Sequence, residues 1–284
     1  MNRIKELAKW SEEDLEVLRE KYPVMDTNEL ATLLGRSRNS VVIKANRIGI
    51  QKPKHAQNDS YFECIDDSTT AYWIGFITAD GYVNNSQVYR NYELGIELST
   101  KDEAHLKRFL EDISSNSKVS RRTKSSFKNK GFDKSYEESV ARIYSKQIVE
   151  SLSKYGIVQN KTYSIKFPDN VPELYIWDYV RGFFDGDGSV FVKNVESTNG
   201  TIHQYLNVNF TSHSKEFLEG LKNTLFNYDI NSTIYKDGNN YQLYIRKQED
   251  ILSFFNLIYH KENIRKLDRK HIIFINYYSE KLPA

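Results

Sequence analysis

The sequence predicts an α+β protein: two pseudo-symmetric αββαββα repeats with antiparallel sheets, preceded by a small tri-helical domain. Three observations predict it. The stretches AYWIGFITADGYV (residues 71–83) and YVRGFFDGDGSV (179–190) both run apolar and then end on Asp-Gly, with Asp80 and Asp187 107 positions apart. A second pair, Lys161 in QNKT and Lys270 in DRKH, lies 109 positions apart, so the register holds across a whole unit. The strand patterns alternate apolar and polar residues, as half-buried strands do. The boundaries read 1–52 for the first domain, 53–60 for a polar linker, 61–165 for the first repeat and 166–284 for the second.

The first domain begins with WSEEDLEVLREKY. Ser11 is placed to cap a helix whose first turn holds Glu12, Glu13 and Asp14, and Pro23 closes it. Thr27 opens a second helix, TNELATLLG, which Gly35 ends. After the turn Arg36-Ser37 comes RNSVVIKANRIGI, apolar at Val41, Ile43, Ala45 and Ile48 and polar at Arg38, Asn39, Lys44, Asn46 and Arg47. A tight turn before a basic third helix is helix-turn-helix geometry, in which the third helix enters a major groove and its Asn, Arg and Lys side chains meet bases and phosphates. A helical bundle used for protein contact is the plain alternative.

Each repeat then follows one order. In the first, the Asp80-Gly81 helix leads into YVNNSQVY and YELGIELST, the helix EAHLKRFLEDI, strands KVSRRTK and ESVARIY, and the helix KQIVESLSKYG. In the second, Asp187-Gly188 leads into SVFVKN and QYLNVNFTS, the helix KEFLEGLKNTLF, strands NSTIYKD and YQLYIRK, and the helix EDILSFFNLIY. Leu94, Ile96 and Leu98 share one strand face and Glu93, Gly95, Glu97 and Ser99 the other; Leu206, Val208 and Phe210 oppose Tyr205, Asn207, Asn209 and Thr211. Each sheet therefore keeps a polar face free, either as a platform for a DNA groove or simply as a solvated side.

Composition narrows the function classes. No apolar run reaches the ~18 residues of a membrane span and the N-terminus has no signal-like segment, so a cytoplasmic or nucleoid protein is expected. The single cysteine, Cys64, excludes an internal disulfide or a cysteine-based zinc site. The formal net charge is only +2, yet the charges cluster. From Arg36 to Lys54 every charged residue is basic, and Lys118, Arg121, Arg122, Lys124, Lys128, Lys130 and Lys134 form a second run broken only by Asp133. Two such runs suit phosphate contact better than a merely solvated face. Lys193, Tyr205, Asn207, Asn209 and Arg246 are expected to face the same partner.

The chemistry sits at the helix ends. Gly75 and Ala79, then Gly182 and Gly186, place small residues four apart on one helical face, so two such helices can touch backbone to backbone. Their C-termini then bring Asp80 and Asp187 together, each at the negative end of a helix dipole. With no His or Cys at hand, a hard divalent cation such as Mg²⁺ or Mn²⁺ is the simplest compensation. Lys161 and Lys270 are placed to neutralise charge on a phosphorane-like transition state or to polarise water. The plain alternative is an ordinary helix stop, with Gly81 and Gly188 as left-handed C′ residues. Asp185, whose counterpart is Thr78, reads as support.

WIGFITADG (73–81) and VRGFFDGDG (180–188) resemble the two signature helices of the LAGLIDADG homing endonucleases, and the resemblance covers roughly residues 61–280. It implies a saddle of two sheets on a long DNA site, a catalytic metal bound by Asp80 and Asp187, help from Lys161 and Lys270, and cleavage of both strands by a monomer. Trp73, Thr78 and Arg181 depart from the usual motif. The N-terminal segment in turn resembles tri-helical DNA-binding modules with the pattern LGRS…SV..KA.R.GI. A non-cleaving transcriptional regulator and an RNA maturase remain alternatives under the same fold, and residence in an intein is not expected.

Overall fold

The computed structural model describes residues 9–281, apart from residues 24, 26, 51–55, 87–90 and 126–134. Part of the second basic run (Lys128, Lys130, Lys134) and residues 53–55 of the expected linker lie outside the described residues. Two compact units divide at Ala56 and Gln57.

The first unit holds α1 (Glu12–Lys21), α2 (Thr27–Leu34) and α3 (Arg38–Arg47). Side-chain caps begin two of them: Ser11 Oγ accepts from the Asp14 amide at 3.1 Å and Ser37 Oγ from the Ser40 amide at 3.3 Å. Gly35, at φ +61°, ends α2 in the left-handed conformation that glycine tolerates. Leu18, Leu30, Val41 and Ala45 form the small core. Arg36 does not join a basic surface. It is buried, pairs with Asp14 at 2.8 Å and lies 4.1 Å over the Trp10 ring, fastening the α2–α3 turn to α1.

The second unit contains the repeats. The first comprises α4 (Ser68–Asp80), β1 (Gly81–Ser86), β2 (Asn91–Ser99), α5 (Glu103–Asp112), β3 (Ser120–Ser125), β4 (Ser135–Tyr144) and α6 (Lys146–Ser153). The second comprises α7 (Ile176–Asp187), β5 (Gly188–Glu196), β6 (Ile202–Ser212), α8 (Lys215–Phe226), β7 (Thr233–Asp237), β8 (Asn240–Ile245) and α9 (Gln248–Ile258). Both are αββαββα. Their antiparallel sheets run β1-β2-β4-β3 and β5-β6-β8-β7, with Gly81 opposite Ile96 and Gly188 opposite Phe210.

The apolar strand faces predicted from alternation are buried: Leu94 and Ile96 in one sheet, Leu206, Val208 and Phe210 in the other. They belong to one continuous core with Phe109, Phe217 and Phe254 of the covering helices. An element absent from the sequence reading follows α9. Helix α10 (Asp268–Lys281) begins at Asp268 and buries Lys270, Phe274 and Tyr277, a spacing of four and three that a helical face requires.

Candidate active site

The two signature helices, α4 and α7, cross at their glycines. A Cβ on Gly75 would stand 2.0 Å from the Tyr179 carbonyl oxygen, and one on Gly182 would stand 2.0 Å from the Tyr72 carbonyl oxygen. Position for position these are the same contact, because Tyr72 and Tyr179 are also 107 apart. Further along, a Cβ on Gly186 would meet Ala79 Cβ at 2.3 Å and Asp80 Oδ2 at 3.3 Å. All four expected interface residues therefore line the crossing, and the carboxylate of Asp80 lies against the last turn of α7.

Asp80 and Asp187 are the final residues of their helices. Neither following glycine is left-handed. Gly81 (φ −85°, ψ 153°) and Gly188 (φ −84°, ψ 158°) are extended, so each chain passes straight from helix into strand. Glycine is needed there for room: a Cβ on Gly81 would meet Ile77 Cγ2 at 2.5 Å, and one on Gly188 would meet Phe184 Cδ2 at 2.2 Å. Burial, and then the charge of Asp187, pushes the Asp80 carboxyl up to about 6. Burial also raises Asp187, against the opposing pull of Lys161 and Lys270.

Both lysines come to this point, but neither hangs free. Lys161, in a short 3-10 turn, donates to the Gly81 carbonyl at 2.7 Å. Lys270, in the first turn of α10, donates to the carbonyls of Phe184 and Asp185 at 2.7 Å, Gly186 at 3.1 Å and Gly188 at 2.6 Å. Four carbonyls around the α7 C-terminus thus meet one ammonium, which also sits at the negative end of the helix dipole. Burial lowers Lys270 to about 8, opposed by the nearby carboxylates of Asp185, Asp80 and Asp187.

The residues present fit a hard divalent cation. Neither carboxylate is engaged by a side chain or backbone donor among the described residues, and both remain partly accessible. Among the described residues no cluster of three or more His, Cys, Asp and Glu side chains forms a closed metal site. Two carboxylates alone leave most of an octahedral shell to water and phosphate oxygens, which suits Mg²⁺.

Asp185 has a different surrounding. It is fully buried, and its Oδ2 accepts from Tyr72 Oη at 2.8 Å and from the Leu267 amide at 2.7 Å. The Tyr72 hydroxyl has one proton, and it goes to that carboxylate. His105 Nε2, 2.8 Å from the same oxygen, is therefore the donor. The counterpart bond is Tyr179 Oη to Thr78 Oγ1 at 3.3 Å, so each repeat reaches across to the same position of the other. The unusual motif residues are also used. Trp73 Nε1 donates to Asp112 at 2.7 Å, and buried Arg181 pairs with Asp178 at 2.7 Å while holding the carbonyls of Ile258 and Arg265.

Sequence reasoning missed residues beside this centre. A cavity of about 140 Å³ is lined by Thr78, Lys161, Asp187, Thr211, His213 and Asn240, among others. A histidine is thus at hand after all. Only the β6 register reveals it, since His213 follows the strand's last residue.

The polar sheet faces differ between repeats. In the first sheet Arg122 and Lys124 both pair with Glu97 and Glu138, and Arg142 pairs with Glu93 at 3.1 Å. Among the described residues three acids balance three bases, so the described part of the basic run does not make this face positive. Arg121 points to the opposite face, where it pairs with Glu103 of α5 at 2.6 Å. On the second sheet Lys193 stands opposite Tyr205, both exposed, and Asn207 and Asn209 continue that face. Asn209 is largely buried and donates to Gln242 at 3.2 Å. Exposed Arg246 lies 4.8 and 4.9 Å over the Tyr235 and Tyr244 rings. In the first unit Arg38, Asn39, Asn46 and Arg47 are exposed and Lys44 half-buried; Asn39, Lys44 and Arg47 line a groove with Trp10 and Ile43.

Comparison with known proteins decides the family. Residues 67–156 and 175–271 match the LAGLIDADG-like domain, one segment for each repeat. The chain belongs to this family. In fold, the LAGLIDADG-like unit is similar to the LAGLIDADG meganuclease I-AabMI bound to uncleaved DNA, with a TM-score of 0.51 and 15% identity over 76% of this chain and 92% of that one. It is likewise similar to the LAGLIDADG meganuclease I-CpaMI bound to uncleaved DNA, with a TM-score of 0.50 and 16% identity over 74% and 89%. At such identities the likeness is one of fold. In sequence, the chain is 25% identical over 130 residues to the probable cell division protein WhiA of Clostridium acetobutylicum, covering 44% of this chain and 38% of that protein. The chain thus spans less than two fifths of the curated relative it matches.

Proposed function

We propose that the protein is a site-specific, divalent-metal-dependent DNA endonuclease that cuts both strands of a long duplex site. One observation carries the reading: two carboxylates, Asp80 and Asp187, end pseudo-symmetric helices side by side and remain unpaired among the described residues, with a buried lysine beneath each. An array of like charges so placed destabilises the free protein, and a cation with a phosphate resolves it. Mg²⁺ or Mn²⁺ held there supplies polarised water and neutralises the scissile phosphate. The chain's own residues do the rest. Asp80 and Asp187 would hold the cation, Lys161 offers N–H donors near the phosphate, and Lys270 fixes the α7 terminus that carries Asp187.

Binding is divided between the units. The second sheet offers Lys193, Tyr205, Asn207, Asn209 and Arg246 to a groove. The first offers Arg122 and Lys124 once they exchange Glu97 and Glu138 for DNA. Helix α3, with Arg38, Asn39, Lys44, Asn46 and Arg47, adds a second contact of helix-turn-helix type. The likeness of fold to meganucleases bound to DNA supports this partner.

A second reading is a DNA-binding regulator that cuts nothing, since the relative similar in sequence carries the name of a probable cell division protein and not of a nuclease. The acids support the endonuclease, since a regulator has no use for two unpaired carboxylates at one point. The test is to sequence the ends produced from a plasmid library of native flanking DNA with Mg²⁺, using wild type and Asp187→Asn. Breaks at one sequence that vanish in the variant support the endonuclease. Tight, specific binding with no break in either protein sinks it.

A further inference from the structure

The two sheets share a backbone but not a surface chemistry. The cross-strand row Gly81, Ile96 and Ala141 of the first corresponds to Gly188, Phe210 and Leu243 of the second. Counting along the strands from that row makes Glu93 the counterpart of Asn207, Glu97 of Thr211, Glu138 of Asn240, Arg142 of Tyr244 and Asn84 of Phe191. Four charged positions on the polar face of the first sheet are thus uncharged in the second. On the first face donors and acceptors stand side by side as ions. Lys124 pairs with Glu97 at 3.2 Å and Glu138 at 3.1 Å, Arg122 with the same two carboxylates, and Arg142 with Glu93 at 3.1 Å. On the second face the remaining charges meet amides and rings instead. Asp237 accepts from the Gln242 side chain at 2.5 Å, Arg246 lies on the Tyr235 and Tyr244 rings, and Lys193 stands opposite Tyr205.

We propose that the DNA site is divided in composition: the half under the first sheet is read chiefly at G·C pairs and the half under the second chiefly at A·T pairs. This rests on the DNA-binding part of the function proposed above and goes beyond it. In the major groove guanine offers two acceptors, N7 and O6, beside the N4 amino donor of cytosine. An arginine or lysine next to a glutamate matches that edge, donor to acceptor and acceptor to donor. Over an A·T pair the same ions would meet the thymine methyl group and lose water without gaining partners, which is costly for charged groups. The second face has the opposite fit. Asn207 offers one acceptor and one donor, as adenine N6 and N7 require, and exposed Phe191 directly across from it offers an apolar surface to the thymine methyl. A G·C pair there would set the cytosine amino donor against a ring.

The experiment selects duplexes from native flanking DNA by binding to the full chain without divalent metal, so that bound duplex survives. Affinity is then measured for every single-pair variant of the selected site. One half is expected to lose about tenfold or more in affinity at its G·C pairs, and the other at its A·T pairs. Arg122→Lys, which keeps the charge but not the planar fork, is expected to relax guanine preference in the first half alone. Phe191→Ala is expected to relax thymine preference in the second half alone. Each preference is a ratio of affinities for two duplexes, so partial unfolding of a variant does not alter it. Halves of like composition overturn the inference. So does Arg122→Lys relaxing an A·T pair, Phe191→Ala relaxing a G·C pair, or either variant leaving every preference unchanged. Divided recognition with no cleavage once Mg²⁺ is added supports the inference and sinks the endonuclease. Binding without sequence preference overturns both.

Discussion

At the residue scale, the protein's buried polar groups are tied to one another across the repeats. His105, Tyr72 and Asp185 form one chain of hydrogen bonds through the helix pair. Burial, helped by the charges of nearby arginines, lowers the His105 imidazole from its ordinary value to about 3. The sign follows from proton uptake. Between pH 6.5 and 3 the unfolded chain binds a proton that the folded state refuses, so stability is complete above that window and is lost as pH falls through it. Asp80 and Asp185, both raised to about 6, act oppositely, adding stability as pH falls from about 6 toward 4. His105 is therefore read as a difference. Urea midpoints of wild type and His105→Gln should converge as pH drops from 6.5, by up to about 1.4 kcal/mol per pH unit. A constant gap between the two proteins would contradict it.

At the element scale, backbone approach between α4 and α7 sets the site. Gly75→Ala or Gly182→Ala puts a methyl group 2.0 Å from a backbone oxygen that cannot rotate away. Each should cost at least about 1–3 kcal/mol in denaturant unfolding, the range for overpacked cores, and should separate Asp80 from Asp187 enough to abolish cleavage. The first sheet makes a different prediction. Glu97→Gln takes one carboxylate away from Arg122 and Lys124. DNA affinity at low salt should rise, and the slope of log affinity against log salt should steepen by about 1–2. An unchanged slope would mean that DNA does not reach this face.

At the scale of the whole molecule, two units with separate cores each fold around their own residues. Removal of residues 1–56 should leave the cooperative unfolding of the remainder intact and weaken DNA binding without abolishing cleavage. Calorimetry and a binding titration on the truncated chain check both halves of that statement. Because both signature helices belong to one chain, the mass in solution should be that of a single chain, which light scattering reads directly.

The αββαββα repeat, the helix crossing through small residues and the pairing of Asp80 with Asp187 were legible because they depend on periodicity and spacing, which are properties of the chain itself. Helix α10 was missed, although Lys270, Phe274 and Tyr277 carry a helical spacing, because its pattern lay beyond the repeat and had no counterpart. What the linear order does not contain is who meets whom across the fold. That Arg36 is buried against Asp14, that Arg121 and Arg122 part to opposite faces, and that Glu97 and Glu138 cancel a basic run are decided by strand register and packing. The same holds for the lysines. Sequence put one beside each acid, whereas only the tertiary structure gave Lys270 four carbonyls and Lys161 one, because the number of acceptors around an ammonium depends on which backbone ends converge there.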